Sequence, residues 1–154
     1  MKTRTIGLLL SLCLIAVTAA FAGDANIGTW KLDEAKSKIP PNATKNSMVV
    51  YEAAGDSVKV TVDGTTGDGK PLHTEWTGKY DGKDYPLTGD PSADTRSYKK
   101  VNDRTTDLTN KKGGKVTATG RIVISADGKT RTLTVSGTDP NGKKVKFTAM
   151  YEKQ

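Results

Sequence analysis

Val58, Val60 and Val62 alternate with Lys59 and Thr61, and the same period of two recurs along most of the chain. Leu72, Thr74, Trp76, Gly78 and Tyr80 take one parity, and His73, Glu75, Thr77 and Lys79 take the other. Ile122 and Ile124 follow Val116, Ala118 and Gly120 on one side, Leu133 and Val135 alternate with Thr132, Thr134 and Ser136, and Val145, Phe147, Ala149 and Tyr151 close the chain. Side chains on a strand point alternately to its two faces, so each run has one apolar and one wetted face. The pattern predicts strands over residues 27–33, 47–53, 57–63, 71–80, 83–87, 95–101, 104–110, 115–125, 130–138 and 143–152. Only residues 33–38 could begin a helical turn. Ile39-Pro40-Pro41 stops it, because proline removes a backbone donor and forces the preceding residue out of the helical region.

Between the runs, glycine turns recur before lysine: Asp68-Gly69-Lys70, Asp81-Gly82-Lys83, Gly113-Gly114-Lys115, Asp127-Gly128-Lys129 and Asn141-Gly142-Lys143. Asp-Gly and Asn-Gly suit tight hairpins because both central positions accept a positive φ, which matches the twist of the paired strands. Short connections between sequence neighbours imply an all-β fold, an antiparallel up-and-down β-barrel of about 8–10 strands, since closure removes the unpaired edges of an open sheet. A two-sheet sandwich buries the same face, so periodicity alone leaves it open.

The first 22 residues read differently: MKTR is a basic start, residues 6–18 are largely apolar, and Ala20-Phe21-Ala22 is a small-x-small cleavage signal. Residues 1–22 are therefore expected to be a signal peptide and residues 23–154 the folded domain, exported to the periplasm or the extracellular space. The apolar run is shorter than the roughly 20 residues of a spanning helix, so no transmembrane span is expected after cleavage. Cys13, the only cysteine, falls inside the leader, and the mature chain has no disulfide, thiol nucleophile or thiolate ligand. Taking Lys2 and Arg4 from the 24 basic residues leaves 22 against 17 acidic ones, a net charge of +5. The lysines are interspersed with aspartates and turn glycines. Lys99, Lys100, Arg104, Lys111 and Lys112 are interrupted by Asp103 and Asp107, which argues against a nucleic-acid stripe and for a solvated surface.

Gly28-Thr29-Trp30-Lys31-Leu32 resembles the G-x-W on the first strand of lipocalins and cytosolic fatty-acid-binding proteins, and the closing Tyr151-Glu152-Lys153 is similar to the last strand of the latter. YDGKDYPLTGD, followed by Asp94-Thr95, resembles a segment of secreted, lipocalin-like bacterial proteins of unknown function. The resemblance implies a lipocalin-like (calycin) barrel for residues 23–154. Without any ligand, Gly28 allows a close approach to a neighbour, and Trp30 can plug one end of the barrel with its indole nitrogen bonded to a carbonyl. Two departures stand out. Residues 34–46 are too short and proline-containing for the helix pair that covers a fatty-acid-binding barrel, and the Arg-x-Tyr of those binders reads Ala149-Met150-Tyr151 here. Only Tyr151 carries over. The arginine that lipocalins stack on the first-strand tryptophan has no counterpart in the last strand either.

His73 and Glu75 share a strand face and could form an acid/base pair, but their parity opposes Trp76 and puts them outside. Gly64-Thr65-Thr66-Gly67-Asp68-Gly69-Lys70 has phosphate-loop spacing, yet Pro71 and a strand follow instead of a hydroxyl residue and a helix, so it reads as a hairpin loop. Asp81, Asp84, Asp90 and Asp94 lack the regular calcium spacing and suit turns. Trp76, Tyr80, Tyr85 and Tyr98 lie on adjacent strands or their connections, and Arg96 shares a face with Tyr98. Facing inward, Arg96 beside tyrosines would hold an acid group while the rings cover an apolar tail; facing outward, it is an ordinary surface charge. The candidate ligand-binding residues are Trp76, Tyr80, Tyr85, Arg96, Tyr98 and Tyr151.

The sequence thus points to an exported barrel that binds a small hydrophobic or amphiphilic molecule, or a lipid, non-covalently. No enzymatic activity, cofactor, metal or nucleic acid is expected. An alternative is a structural or protein-interaction module of the cell envelope with a filled core, and a weaker one is a hydrolase using His73 and Glu75. Ligand identity and oligomeric state stay open.

Overall fold

The computed structural model describes residues 23–138 and 141–154. The expected leader, with Cys13, lies outside them. Ten strands follow one another: β1 (Gly28–Lys38), β2 (Lys45–Ala54), β3 (Ser57–Thr65), β4 (Pro71–Gly78), β5 (Tyr85–Thr88), β6 (Thr95–Asn102), β7 (Thr105–Lys112), β8 (Lys115–Ile124), β9 (Thr130–Thr138) and β10 (Lys144–Lys153). Each pairs antiparallel with its sequence neighbours, and β1 closes the ring against β10. This is a closed up-and-down barrel, and the sandwich is ruled out. Gly69, Gly82, Gly114, Gly128 and Gly142 in the lysine-preceding turns all have positive φ, between 71° and 83°.

The alternation in sequence becomes an inside and an outside. β4 is alternately exposed and buried along its whole length, with Leu72, Thr74, Trp76 and Gly78 inward. The core holds Trp30, Tyr51, Val58, Val60, Tyr98 and Ile122 among its most buried side chains. Each large side chain buried in this way contributes about 1.5–3 kcal/mol through lost apolar surface.

Two elements differ from the expectation. β1 does not end at residue 33 with a helical turn after it; it continues to Lys38 through a bulge, with Asp33 opposite Met150 and Lys38 opposite Thr148. Residues 34–37 stand against Ala149 alone. Turn-like bonds survive inside the bulge, since Ser37 Oγ donates to Asp33 O (2.6 Å) and Lys36 N to Asp33 Oδ1 (3.1 Å). Met150 N also donates to Ser37 Oγ (2.9 Å), so pairing with β10 outweighs the local helical tendency.

The second difference is at β4 and β5. β4 stops at Gly78, where a Cβ would come within 2.5 Å of the Tyr85 ring, and residues 79–84 form a loop that keeps one antiparallel bridge, Asp81 opposite Lys99 of β6. Gly82 N still donates to Tyr98 O (2.9 Å). β5 is only four residues long and is paired at two positions on each side. Proline at its second position removes a ladder donor.

Candidate functional site: a polar cavity inside the barrel

The two ends of the barrel are built differently. At the end where β1 begins, residues 23–27 turn across the opening. Trp30 is fully buried and its Nε1 donates to Asn26 O (2.7 Å), as the G-x-W motif implied. Asn26 Nδ2 reaches Thr106 Oγ1 on β7 (3.4 Å). β7 lies four strands from β1 around the ring, so that bond crosses the interior and closes this end. Gly28, at φ 127°, leaves room for Lys153, whose Nζ sits 5.2 Å from the centre of the Trp30 ring. A cation of the last strand does cover the tryptophan, but it is a lysine.

Towards the opposite end lies a cavity of about 100 Å³. It reaches the exposed Thr44 and half-buried Asn46 and Asp90 at the rim, and Val49, Val62, Leu72, Leu108, Leu133 and Phe147 form its apolar wall. Its polar side comes from β6, β7 and β9. Arg96 faces inward, 9% exposed; its Nε donates to Asn110 Oδ1 directly opposite on β7 (2.7 Å), and its Nη1 lies 3.4 Å from Tyr98 Oη. Arg131, 2% exposed, stands opposite Tyr151 in the β9–β10 ladder. Its Nη2 donates to Tyr51 Oη (3.0 Å), and its guanidinium lies 5.2 Å from the Tyr51 ring centre and 5.0 Å from that of Tyr151. Tyr51 Oη and Tyr98 Oη are 3.5 Å apart, so one polar chain links both arginines through two phenols.

The electrostatics of this chain are one-sided. None of the ion pairs among the described residues involves Arg96 or Arg131. The carboxylate in the wall, Asp90, accepts from Ser92 N (2.8 Å) and Ser92 Oγ (2.6 Å). Burial pushes the Tyr51 and Tyr151 phenols up, in each case against the opposing pull of Arg131, so both stay neutral at physiological pH. Two guanidinium groups thus line the cavity against one carboxylate, Asp90, and neither arginine is ion-paired with it.

Of the six residues singled out from the sequence, Arg96, Tyr98 and Tyr151 line this cavity and the other three lie outside its wall. Trp76 is core: its Nε1 donates to Arg96 O (2.8 Å) across the short β5, and its ring packs edge-on against Tyr98 at 4.7 Å. Tyr85 packs edge-on against Trp76 at 5.7 Å and donates to Asp81 Oδ2 (2.9 Å), at the barrel's rim. Tyr80 sits beside Asp24 towards the closed end, with burial pushing its phenol up.

Arg131, Asn110 and Tyr51 were missed, though parity could have found them. Arg131 shares a face with Leu133, Asn110 with Leu108, and Tyr51 with Val49.

The remaining motifs have other roles. His73 is exposed, with Nδ1 2.6 Å from Asp63 Oδ1 and Nε2 3.9 Å from Glu75 Oε1. The glycine-rich loop is the β3–β4 turn, held by Thr66 N on Lys70 O and Gly69 N on Thr66 O (both 2.9 Å). Asp81 accepts from Lys83 N (3.0 Å), Asp84 pairs with Lys111 (2.7 Å), and Asp94 accepts from Gly113 N (2.9 Å). Among the described residues no group of three or more His, Cys, Asp or Glu could hold a metal ion.

No protein-family model matches the chain, and no curated protein matches it either. Among solved structures, the redesigned β-barrel mFAP1 bound to DFHBI is 17% identical over 86% of this chain and 98% of its own, with a TM-score of 0.43. EF1p2_mFAP2b bound to DFHBI is 14% identical over 89% of this chain and 100% of its own, with a TM-score of 0.47. At those identities and scores the likeness carries neither a ligand nor a site over to this chain.

Proposed function

We propose that this barrel is an exported, lipocalin-like binder that holds a small, partly apolar ligand non-covalently and without turning it over. The observation that supports this most is the cavity of about 100 Å³, apolar on one side and lined by Arg96, Arg131, Asn110 and Tyr98 on the other. Small-molecule sites have this composition, an apolar wall with a few convergent polar groups. The leader-like start of the chain is what supports export.

The modest size of the cavity favours a second reading. Trp76, Tyr51, Tyr98 and Tyr151 fill much of the interior, as they would in an envelope module that presents its outer strands to a partner. Native mass spectrometry of the exported protein, followed by organic extraction, distinguishes the two. A reproducibly co-purifying small molecule supports the binder. An empty protein whose tryptophan fluorescence ignores a panel of small hydrophobic probes favours the envelope module.

A further inference from the structure

Charge is spread unevenly along this chain. Between Leu108 and Tyr151 there are nine basic residues and two acidic ones, Asp127 and Asp139, whereas the rest of residues 23–154 holds 13 basic and 15 acidic. The net +5 of residues 23–154 is therefore +7 in one stretch and −2 in the remainder. The fold gathers that stretch into β8, β9, β10 and the second half of β7, which are neighbours in the ring. Of its basic residues, Arg131 is interior, Lys111 pairs with Asp84 and Arg121 with Asp107. Lys112, Lys115, Lys144 and Lys146 are exposed and have no ion pair among the described residues, whereas Lys36, Lys45, Lys59, Lys70 and Lys79 on the side of β1–β4 each have one. Lysines scattered in sequence thus become one basic side of the barrel.

An open groove of about 360 Å³ lies on the outside of these same strands. Register sets two rows of outward side chains along it. Thr109, Thr119, Ser136 and Lys146 stand side by side in one row, and Asp107, Arg121, Thr134 and Thr148 in the next. At the usual spacing of 4.7–4.9 Å between strands, each row runs about 14 Å across the sheet. Among the described residues no aromatic ring lines the groove, and its one carboxylate, Asp107, is held by Arg121 Nε at 2.7 Å. Lys144, two residues before Lys146 on the same face, continues the line of cations towards the turn between β7 and β8, where Lys112 and Lys115 lie.

We propose that this outer groove binds an acidic polysaccharide. Charge complementarity sets the sign of the partner, because the unpaired lysines attract anionic groups towards the groove. The hydroxyl rows set its kind. Thr and Ser each donate and accept, so they match the hydroxyls of a sugar chain, while Lys146 and its neighbours meet the acid groups along it. A single-stranded nucleic acid would be held by rings on which its bases stack, and the groove has none. A lipid surface would need apolar side chains, and of these only Leu108 reaches the groove. The site lies outside the barrel wall and stands whether or not the interior holds a small molecule.

Isothermal titration with alginate oligosaccharides, neutral dextran, poly-L-glutamate and an oligothymidylate, at low and at high salt, tests this. Alginate is expected to bind at low salt, at least about tenfold more tightly than dextran, and to weaken as salt screens the lysines. Lys144→Gln combined with Lys146→Gln should weaken alginate about five- to tenfold. Lys59→Gln combined with Lys79→Gln removes the same charge from the far side of the ring and should change binding by less than about twofold. Thr119→Val combined with Ser136→Ala should weaken alginate at least about threefold with its salt dependence unchanged, a loss that charge alone would not give. Alginate that fails to bind at low salt, poly-L-glutamate or oligothymidylate bound as tightly as alginate, equal losses in the two lysine pairs, or hydroxyl variants without effect each overturn the proposal. All of these substitutions fall on exposed side chains, and none touches the interior cavity.

Discussion

Arg131 is buried with two donors unmet and no ion-pair partner among the described residues, so replacing it with an apolar side chain is expected to stabilise the protein. In Arg131→Met, the losses are the bond from Nη2 to Tyr51, worth about 1.5–3 kcal/mol as a charged hydrogen bond, and two ring contacts of about 0.5–1 kcal/mol each. The gains are relief of two buried nitrogens without acceptors, at about 1–3 kcal/mol each, which nearly cancels those losses. The sign then rests on the charge itself, whose effective desolvation penalty in proteins is several kcal/mol per ion. Methionine fills comparable space with a flexible apolar chain. The expected net effect is stabilisation by about 1–3 kcal/mol, or a rise in Tm of about 3–10 °C for a domain of this size. Urea unfolding of both proteins without ligand, read by tryptophan fluorescence, measures it. A variant less stable than wild type by more than about 1 kcal/mol would show that Arg131 supports Tyr51 and Tyr151 as a core element and would refute this reasoning.

Three further outcomes follow from the geometry. Trp30→Phe removes the Nε1–H bond to Asn26 O and puts a smaller ring under Lys153, and should lower stability by about 1–2 kcal/mol, seen as a lower urea midpoint at unchanged m value. Gly78→Ala places a methyl 2.5 Å from the Tyr85 ring and 2.7 Å from Trp76 Cζ2, so it should cost about 1–3 kcal/mol and alter the near-ultraviolet circular dichroism, whereas an unchanged spectrum would mean that the ring moves freely. The Asp63 carboxylate raises the His73 pKa above the usual histidine value of 6.5, which makes the pair stabilising at pH values below that figure and progressively less so as pH rises through the folded-state pKa. Proton NMR titration of the His73 ring should show a midpoint above 6.5 that falls in Asp63→Asn; with both side chains 59% exposed, the accompanying change in stability should be small.

Much of the fold was legible in the residues. The period of two along β3, β4, β8 and β9 exposes the strands directly, and the glycine turns fix their order because each permits only a short reversal between neighbours. Legibility failed where a non-local contact overrode local tendency. At β1 the bond from Met150 to Ser37 carries the chain through a bulge, and at β4 the Tyr85 ring occupies the space above Gly78. The stretch KYDGKDYPLTGD divides accordingly. Asp81-Gly82 forms a turn, and Tyr85 belongs to the rim, where it packs on Trp76 and bonds to Asp81.

The sequence by itself determined an all-β chain of short antiparallel strands, favoured a barrel while leaving a sandwich open, and grouped Arg96 with Tyr98 and Trp76 with its apolar neighbours. Parity gives two faces but does not say which one is inside when a run is polar on both, so the direction of Arg96 was open until β5, β6 and β7 were paired. Only the closed barrel brought Tyr51 of β2, Tyr98 of β6 and Arg131 of β9 into one polar chain. Tyr51 and Arg131 are 80 residues apart in sequence. No local pattern encodes a contact across a ring of strands, because it depends on how many strands close the ring and in what register.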